Sequence, residues 1–141
     1  MTSKLSHLGA LALIMAFTSC ASVSPVPSDS YNGTSLRPTG KVLTGKASWY
    51  ASYTQGGHHT SSGVRLNNNA STAAHKTLPH YTHVKVTNLQ NGLSEIVQIT
   101  DRGPYIQGRI IDVTIGVARR LDFVNAGVVP VKVEIMEPIN R

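Results

Sequence analysis

Val84-Lys-Val-Thr-Asn-Leu-Gln-Asn-Gly-Leu-Ser-Glu-Ile-Val-Gln-Ile-Thr-Asp101 sets two short apolar runs on either side of Asn91-Gly92. Val84 and Val86 alternate with polar Lys85 and Thr87, and the chain returns through Ile96, Val97 and Ile99, the period of half-buried strands. Asn-Gly is a strong two-residue turn signal, because both residues tolerate positive φ. The stretch predicts a β-hairpin. Its return strand delivers Asp101 to the rigid turn Arg102-Gly103-Pro104, so this carboxylate projects from a fixed backbone, as acid chemistry requires. Only seven Asp and Glu occur in 141 residues, which makes Asp101 the first candidate for proton transfer.

Outward from the hairpin the pattern stays β-rich. Lys46 to Tyr53 places Ala47, Trp49, Ala51 and Tyr53 on one face and Ser48, Tyr50 and Ser52 on the other, followed by a polar loop, Thr54 to Ser62. Arg109-Ile-Ile-Asp-Val-Thr114 reads as a strand, Gly116 to Leu121 as one or two helical turns, and Val128 to Ile135 as the last strand. Short strands at regular spacing with brief helix predict an all-β domain, a small closed β-barrel. No solenoid repeat, phosphate loop or dinucleotide fingerprint is present.

The amino-terminal end differs. Lys4, the apolar run Leu8 to Phe17 and Thr18-Ser19-Cys20 describe an export signal over residues 1–20, too short to span a bilayer comfortably. Cys20 is the only cysteine, so no disulfide is available and the core alone must hold the fold. Residues 21–41, rich in Pro, Ser and Gly, read as a tether, and 42–141 as one domain. The net charge is +6, less one once Lys4 leaves with the signal. An exported basic domain meets anionic wall polymers and lipid headgroups; no arginine-rich helix or base-stacking pattern points to nucleic acid.

The region around Cys20 resembles a bacterial lipobox, with small residues on both sides, which implies a diacylated cysteine. Behind it, Gly45-Lys-Ala-Ser-Trp-Tyr50, Thr72-Ala-Ala-His-Lys-Thr-Leu-Pro79, Val84 to Gly92, Asp101-Arg-Gly-Pro-Tyr105 and Gly108-Arg-Ile-Ile-Asp-Val-Thr114 together resemble the rare lipoprotein A family. The resemblance implies a six-stranded double-psi β-barrel with one or two short helices. It also implies an endolytic lytic transglycosylase that cuts MurNAc–GlcNAc bonds of peptide-stripped peptidoglycan, leaving anhydro-MurNAc ends, in wall remodelling or daughter-cell separation. Many members carry a carboxy-terminal sporulation-related repeat domain that binds denuded glycan; none is expected here, where the sequence stops at Arg141. The expected location is the bacterial envelope, lipid-anchored on the periplasmic side of the outer membrane, with glycan strands and the membrane as partners.

Three residues are tied to activity in that family: the Asp of Asp-Arg-Gly-Pro, the His of Thr-Ala-Ala-His and a Glu after Ser-Gly. They correspond to Asp101, His75 and Val64. Valine cannot transfer a proton. A hydrolase generally needs a second carboxylate to activate water, whereas a lyase uses the sugar's own C6 hydroxyl, so Asp101 could serve as acid and then base with His75 assisting. The alternative is an inactive relative that still binds peptidoglycan. Tyr50 and Tyr105 are expected in the sugar groove, with Arg102, Arg65 and Lys76 meeting MurNAc carboxylates and Trp49 in the core. Asp112 is expected to be a buried acceptor for backbone or Arg109. His58, His59, His80 and His83 show no metal-ligand spacing, and neither metal nor cofactor is expected.

Overall fold

The computed structural model describes residues 29–53 and 58–140. The export signal, the lipobox-like Cys20, tether residues 21–28 and part of the polar loop, 54–57, lie outside the described residues.

The elements in chain order are β1 (Asp29–Tyr31), β2 (Thr34–Tyr50), β3 (Thr72–His75), β4 (His83–Asn88), β5 (Ser94–Asp101), β6 (Arg109–Thr114), α1 (Ile115–Arg120) and β7 (Val128–Pro138). Six strands close into a ring in the order β2-β6-β3-β5-β4-β7, with β7 pairing back onto β2, and β1 is a short appendage on β2. Two pairs, β2 with β6 and β3 with β5, are parallel, and the other pairings are antiparallel. The barrel expected from the sequence is therefore present, with β1 added.

Alternation explains which face looks inward. On β4, Val84 and Val86 are fully buried between half-buried Lys85 and Thr87. Inward residues from every barrel strand meet in one core: Ala47, Ala73, Val84, Val86, Val97, Ile99, Ile111, Val113, Val129, Val131 and Val133. Below it α1 contributes Val117 and Ala118, and Leu121 and Phe123 follow. Thr114 caps α1 by accepting from Val117 N–H, while its own hydroxyl donates to Ala70 O at 2.6 Å.

Two expectations are corrected. The boundary expected at Val42 falls inside β2, and residues 29–31 and 34–38 of the expected tether are paired strand. Leu36, 1% exposed, packs with Ile96 and Met136 in a second apolar cluster, with Tyr31 against it. That cluster and the ladder onto β7 fix a segment whose own sequence shows no apolar alternation. The hairpin turn is also longer than the Asn-Gly signal implies. Thr87 pairs with Ser94, Gly92 N–H donates to Asn88 O, and Gly92 has φ +77°. Side-chain amides of Asn88 and Asn91 both donate to Leu121 O at 3.0 Å, and Leu89 N–H donates to Pro130 O, so the loop answers to the end of α1 and to β7.

Candidate active site

Strand register builds the site. Residues paired across adjacent strands share a face, so pairings can be followed across the sheet. Ser48 of β2 pairs with Asp112 of β6, Asp112 with Ala74 of β3, and Ala74 with Asp101 of β5. The last step crosses a register shift at Thr100, which brings Asp101 opposite Ala74 and so onto the face of Ser48 and Asp112. Ala74 is the smallest of them and separates the two carboxylates.

Asp101 is half-buried at the end of β5. Its Oδ1 accepts backbone N–H bonds from Arg102 at 2.8 Å and Ser61 at 3.0 Å. The first is the turn-capping bond expected of an aspartate at a turn start; the second ties the 58–66 loop to the strand. Oδ2 has no partner among the described residues. A carboxylate held by one oxygen with the other unengaged is oriented without being neutralised.

The 58–66 loop is a tight hairpin of its own. Thr60 N–H donates to Val64 O at 2.8 Å, Leu66 N–H to His58 O at 2.8 Å, and Ser62 N–H reaches Thr100 O at 3.1 Å. Val64, where the resemblance implies glutamate, is 40% exposed, and Arg65 is exposed next to it. The loop thus lies against the end of β5 that carries Asp101.

His75 stands differently from expectation. It is buried at the end of β3, and its Nδ1 accepts from the N–H groups of Thr77 and Leu78, both at 3.1 Å. Burial first, then the Arg102 and Lys76 cations, hold its pKa below the usual imidazole range. The ring is neutral at pH 7, with its proton on Nε2. No hydrogen bond joins His75 to Asp101 among the described residues, and His75 pairs with Ile111, on the opposite face from Ala74. Arg102 connects the two regions through backbone: its Nη1 donates to His75 O at 3.1 Å and Leu78 O at 2.9 Å. Through this one nitrogen Arg102, expected to meet a sugar carboxylate, fastens the turn after β3 to the end of β5.

Tyr105 is 78% exposed just beyond the turn, as a sugar-stacking ring requires. Tyr50 is half-buried, and its hydroxyl is buried beside the Thr72 side chain. Burial, followed by the negative charges of Asp101 and Asp112, pushes its pKa well above the usual phenol range. Trp49 packs against the core as expected, and its Nε1 donates to Val124 O at 3.2 Å. Lys76 is exposed and lines a cavity of about 390 Å³ with His75, Thr77, Arg109 and the apolar Val42, Leu43 and Ile110. Sequence reasoning missed Ser48, whose hydroxyl donates to Asp112 Oδ1 and accepts from Arg109 Nη1 at 3.4 Å. Asp112 is thus half-buried and held by a serine, where a buried acceptor for backbone or Arg109 was expected.

A family model described as lytic transglycolase, built on the double-psi β-barrel, matches residues 42–133. The chain belongs to this lytic transglycolase family. Among relatives of the family, the endolytic peptidoglycan transglycosylase RlpA of Neisseria meningitidis serogroup A is 52% identical over 95 residues, covering 67% of this chain and 39% of that protein. The Vibrio cholerae protein of the same name is 46% identical over 99 residues, covering 70% and 37%, and that of Campylobacter jejuni 44% over 109, covering 74% and 39%. The chain thus spans about two-fifths of the length of these curated relatives. Among solved structures, Streptomyces papain inhibitor superposes with a TM-score of 0.55 at 20% identity, covering 68% of this chain and 94% of its own. Clavibacter michiganensis expansin gives 0.53 at 20% identity, covering 71% and 51%. The two share the fold with this lytic transglycolase domain.

Proposed function

We propose that this protein is an endolytic peptidoglycan lytic transglycosylase, cutting MurNAc–GlcNAc bonds of peptide-stripped glycan and leaving 1,6-anhydro-MurNAc ends. The observation that carries the reading is Asp101, fixed through Oδ1 by two backbone N–H groups, with no partner for Oδ2 among the described residues and exposed Tyr105 four residues on. The protonated carboxyl gives its proton to the leaving glycosidic oxygen as the C1–O4 bond breaks. The C6 hydroxyl of the same MurNAc then bonds to C1, and its proton passes to a carboxylate. Because the nucleophile is part of the substrate, no residue has to position a water, and a tethered nucleophile supplies much of the rate. Tyr105 stacks on a sugar face, and Lys76 and Arg65 meet lactyl carboxylates, in keeping with their exposure on the basic chain. Given its place behind Arg102, His75 is read as a residue that shapes the turn after β3.

The resemblance around Cys20 supports an acylated anchor holding the domain in the periplasm at the outer membrane, where it reaches the wall. The loss of the family glutamate at Val64 favours a second reading, a glycan-binding relative without activity. One experiment separates them. The purified full chain, in parallel with a Val64→Glu variant, is incubated with intact and amidase-stripped sacculi, and released fragments are analysed by mass spectrometry. Anhydro ends from the native chain, more abundant on stripped sacculi, are expected. Products from Val64→Glu alone, with the native chain only retained on sacculi, establish the binding reading.

A further inference from the structure

Outside Asp101, one carboxylate faces the same surface. Asp112 is paired with Ala74 and Ala74 with Asp101, so one strand, β3, stands between the two acids. Ala74 between them is buried, 4% exposed, and its side chain ends at Cβ, so no larger group of β3 separates the two carboxylates. Asp112 Oδ1 is held by the Ser48 hydroxyl, Ser48 is held in turn by Arg109, and Asp112 Oδ2 has no partner among the described residues. Each acid therefore has one oxygen anchored and one unengaged. Tyr50, two residues along β2 from Ser48 and on the same face, has a buried hydroxyl. That its phenol responds to both Asp101 and Asp112 places it within electrostatic reach of each.

We infer that Asp112 is a second catalytic residue, the base that takes the proton from the MurNAc C6 hydroxyl, supplying the carboxylate missing at Val64. The inference rests on the transglycosylase reading. In the step, Asp101 loses its proton to the departing GlcNAc O4 as C1–O4 breaks, C1–O6 forms, and the C6 hydroxyl proton goes to Asp112. The enzyme ends with the proton moved from Asp101 to Asp112, and exchange with water resets it. Ser48 is a positioning residue: by donating to Asp112 Oδ1 it holds that carboxylate in place.

The test uses the full chain, stripped sacculi, anhydro-product rates across pH, sacculus retention and thermal melting. Asp112→Asn keeps an acceptor for Ser48 but cannot take a proton. Its rate is expected to fall by a factor of about 100 to 10,000, with melting and retention unchanged and the low-pH limb of the rate profile lost. Ser48→Ala keeps both carboxylates and is expected to slow anhydro-end formation by about 10-fold with retention unchanged, and Ser48→Thr, which keeps a hydroxyl for Asp112, is expected to restore the rate. A rate for Asp112→Asn within about threefold of the native chain, a loss that only tracks a lowered melting temperature, or a Ser48→Ala rate equal to that of the native chain overturns the inference and leaves the activity standing. A native chain that is retained on sacculi yet yields no anhydro ends overturns the activity and the inference together.

Discussion

Asp101 carries two separable duties, and the pair Asp101→Asn and Asp101→Ala divides them. Asparagine retains an oxygen that can accept from Ser61 N–H and Arg102 N–H, whereas alanine leaves both donors without it. A hydrogen bond contributes about 0.5–1.5 kcal/mol net, so alanine costs roughly 1–3 kcal/mol from the two bonds. Asparagine loses only the charge assistance to them, less than about 1 kcal/mol. For a domain of this size 1 kcal/mol moves the melting midpoint by about 4–8 °C, so alanine lowers it by roughly 4–24 °C and asparagine by less than about 8 °C. Proton donation is removed in both, and the rate of anhydro-end formation falls by a factor of about 100 to 10,000 in both. The measurements are circular-dichroism melts and product mass spectrometry on stripped sacculi. Asparagine active to within threefold would refute the assignment of the acid. Alanine melting with the native chain would refute the anchoring of the 58–66 loop through Oδ1.

Leu36→Ala opens the satellite cluster with Ile96 and Met136 and is expected to cost about 2–3 kcal/mol, read as a melting decrease of roughly 10–20 °C; an unchanged melt would show that residues 29–41 are dispensable tether. Stability is expected to decline as pH falls below about 6.5, because His75 and His83 are held below the usual range when folded, and the unfolded chain therefore binds more protons in that window. His75→Asn, whose Oδ1 can stand where Nδ1 accepts from Thr77 and Leu78, is expected to flatten that decline in denaturant titrations from pH 7 to 5, leaving the smaller part due to His83. Tyr105→Ala should weaken retention on stripped sacculi by about 2- to 10-fold, the worth of one stacked ring, with melting unaltered.

What was legible in the sequence follows the range of the forces involved. Strands β4, β5, β6 and the helix announce themselves because alternation of Val84, Val86, Ile111 and Val113 against polar neighbours is a local signal of which face is buried. The first half of β2 does not, since Leu36 is its one deeply buried residue and the rest is held by the ladder to β7, a partner some hundred residues away. The same limit applied to the site. Turn chemistry exposed Asp101, but Asp112 reads locally as one polar residue in an apolar strand. Its position across Ala74 from Asp101 depends on β3 lying between β6 and β5, which no local pattern encodes. His75 shows the converse: the motif around it is conspicuous, while the two backbone donors that its Nδ1 meets in the turn after β3 are not readable from that motif.

The substitution at Val64 becomes intelligible in this geometry. The loop that carries it is fastened by Thr60 N–H to Val64 O, Ser61 N–H to Asp101 Oδ1 and Ser62 N–H to Thr100 O. None of these bonds uses the side chain of residue 64, which stands partly in solvent. Exchanging an acid for valine there removes a proton carrier without loosening the loop or turning Asp101. The row through Ala74 is equally indifferent to the change, because it is set by the pairing of β2, β6, β3 and β5 around a core that residue 64 does not enter. A barrel whose strands hold two carboxylates on one face can therefore lose a loop carboxylate and keep the geometry that a tethered nucleophile needs.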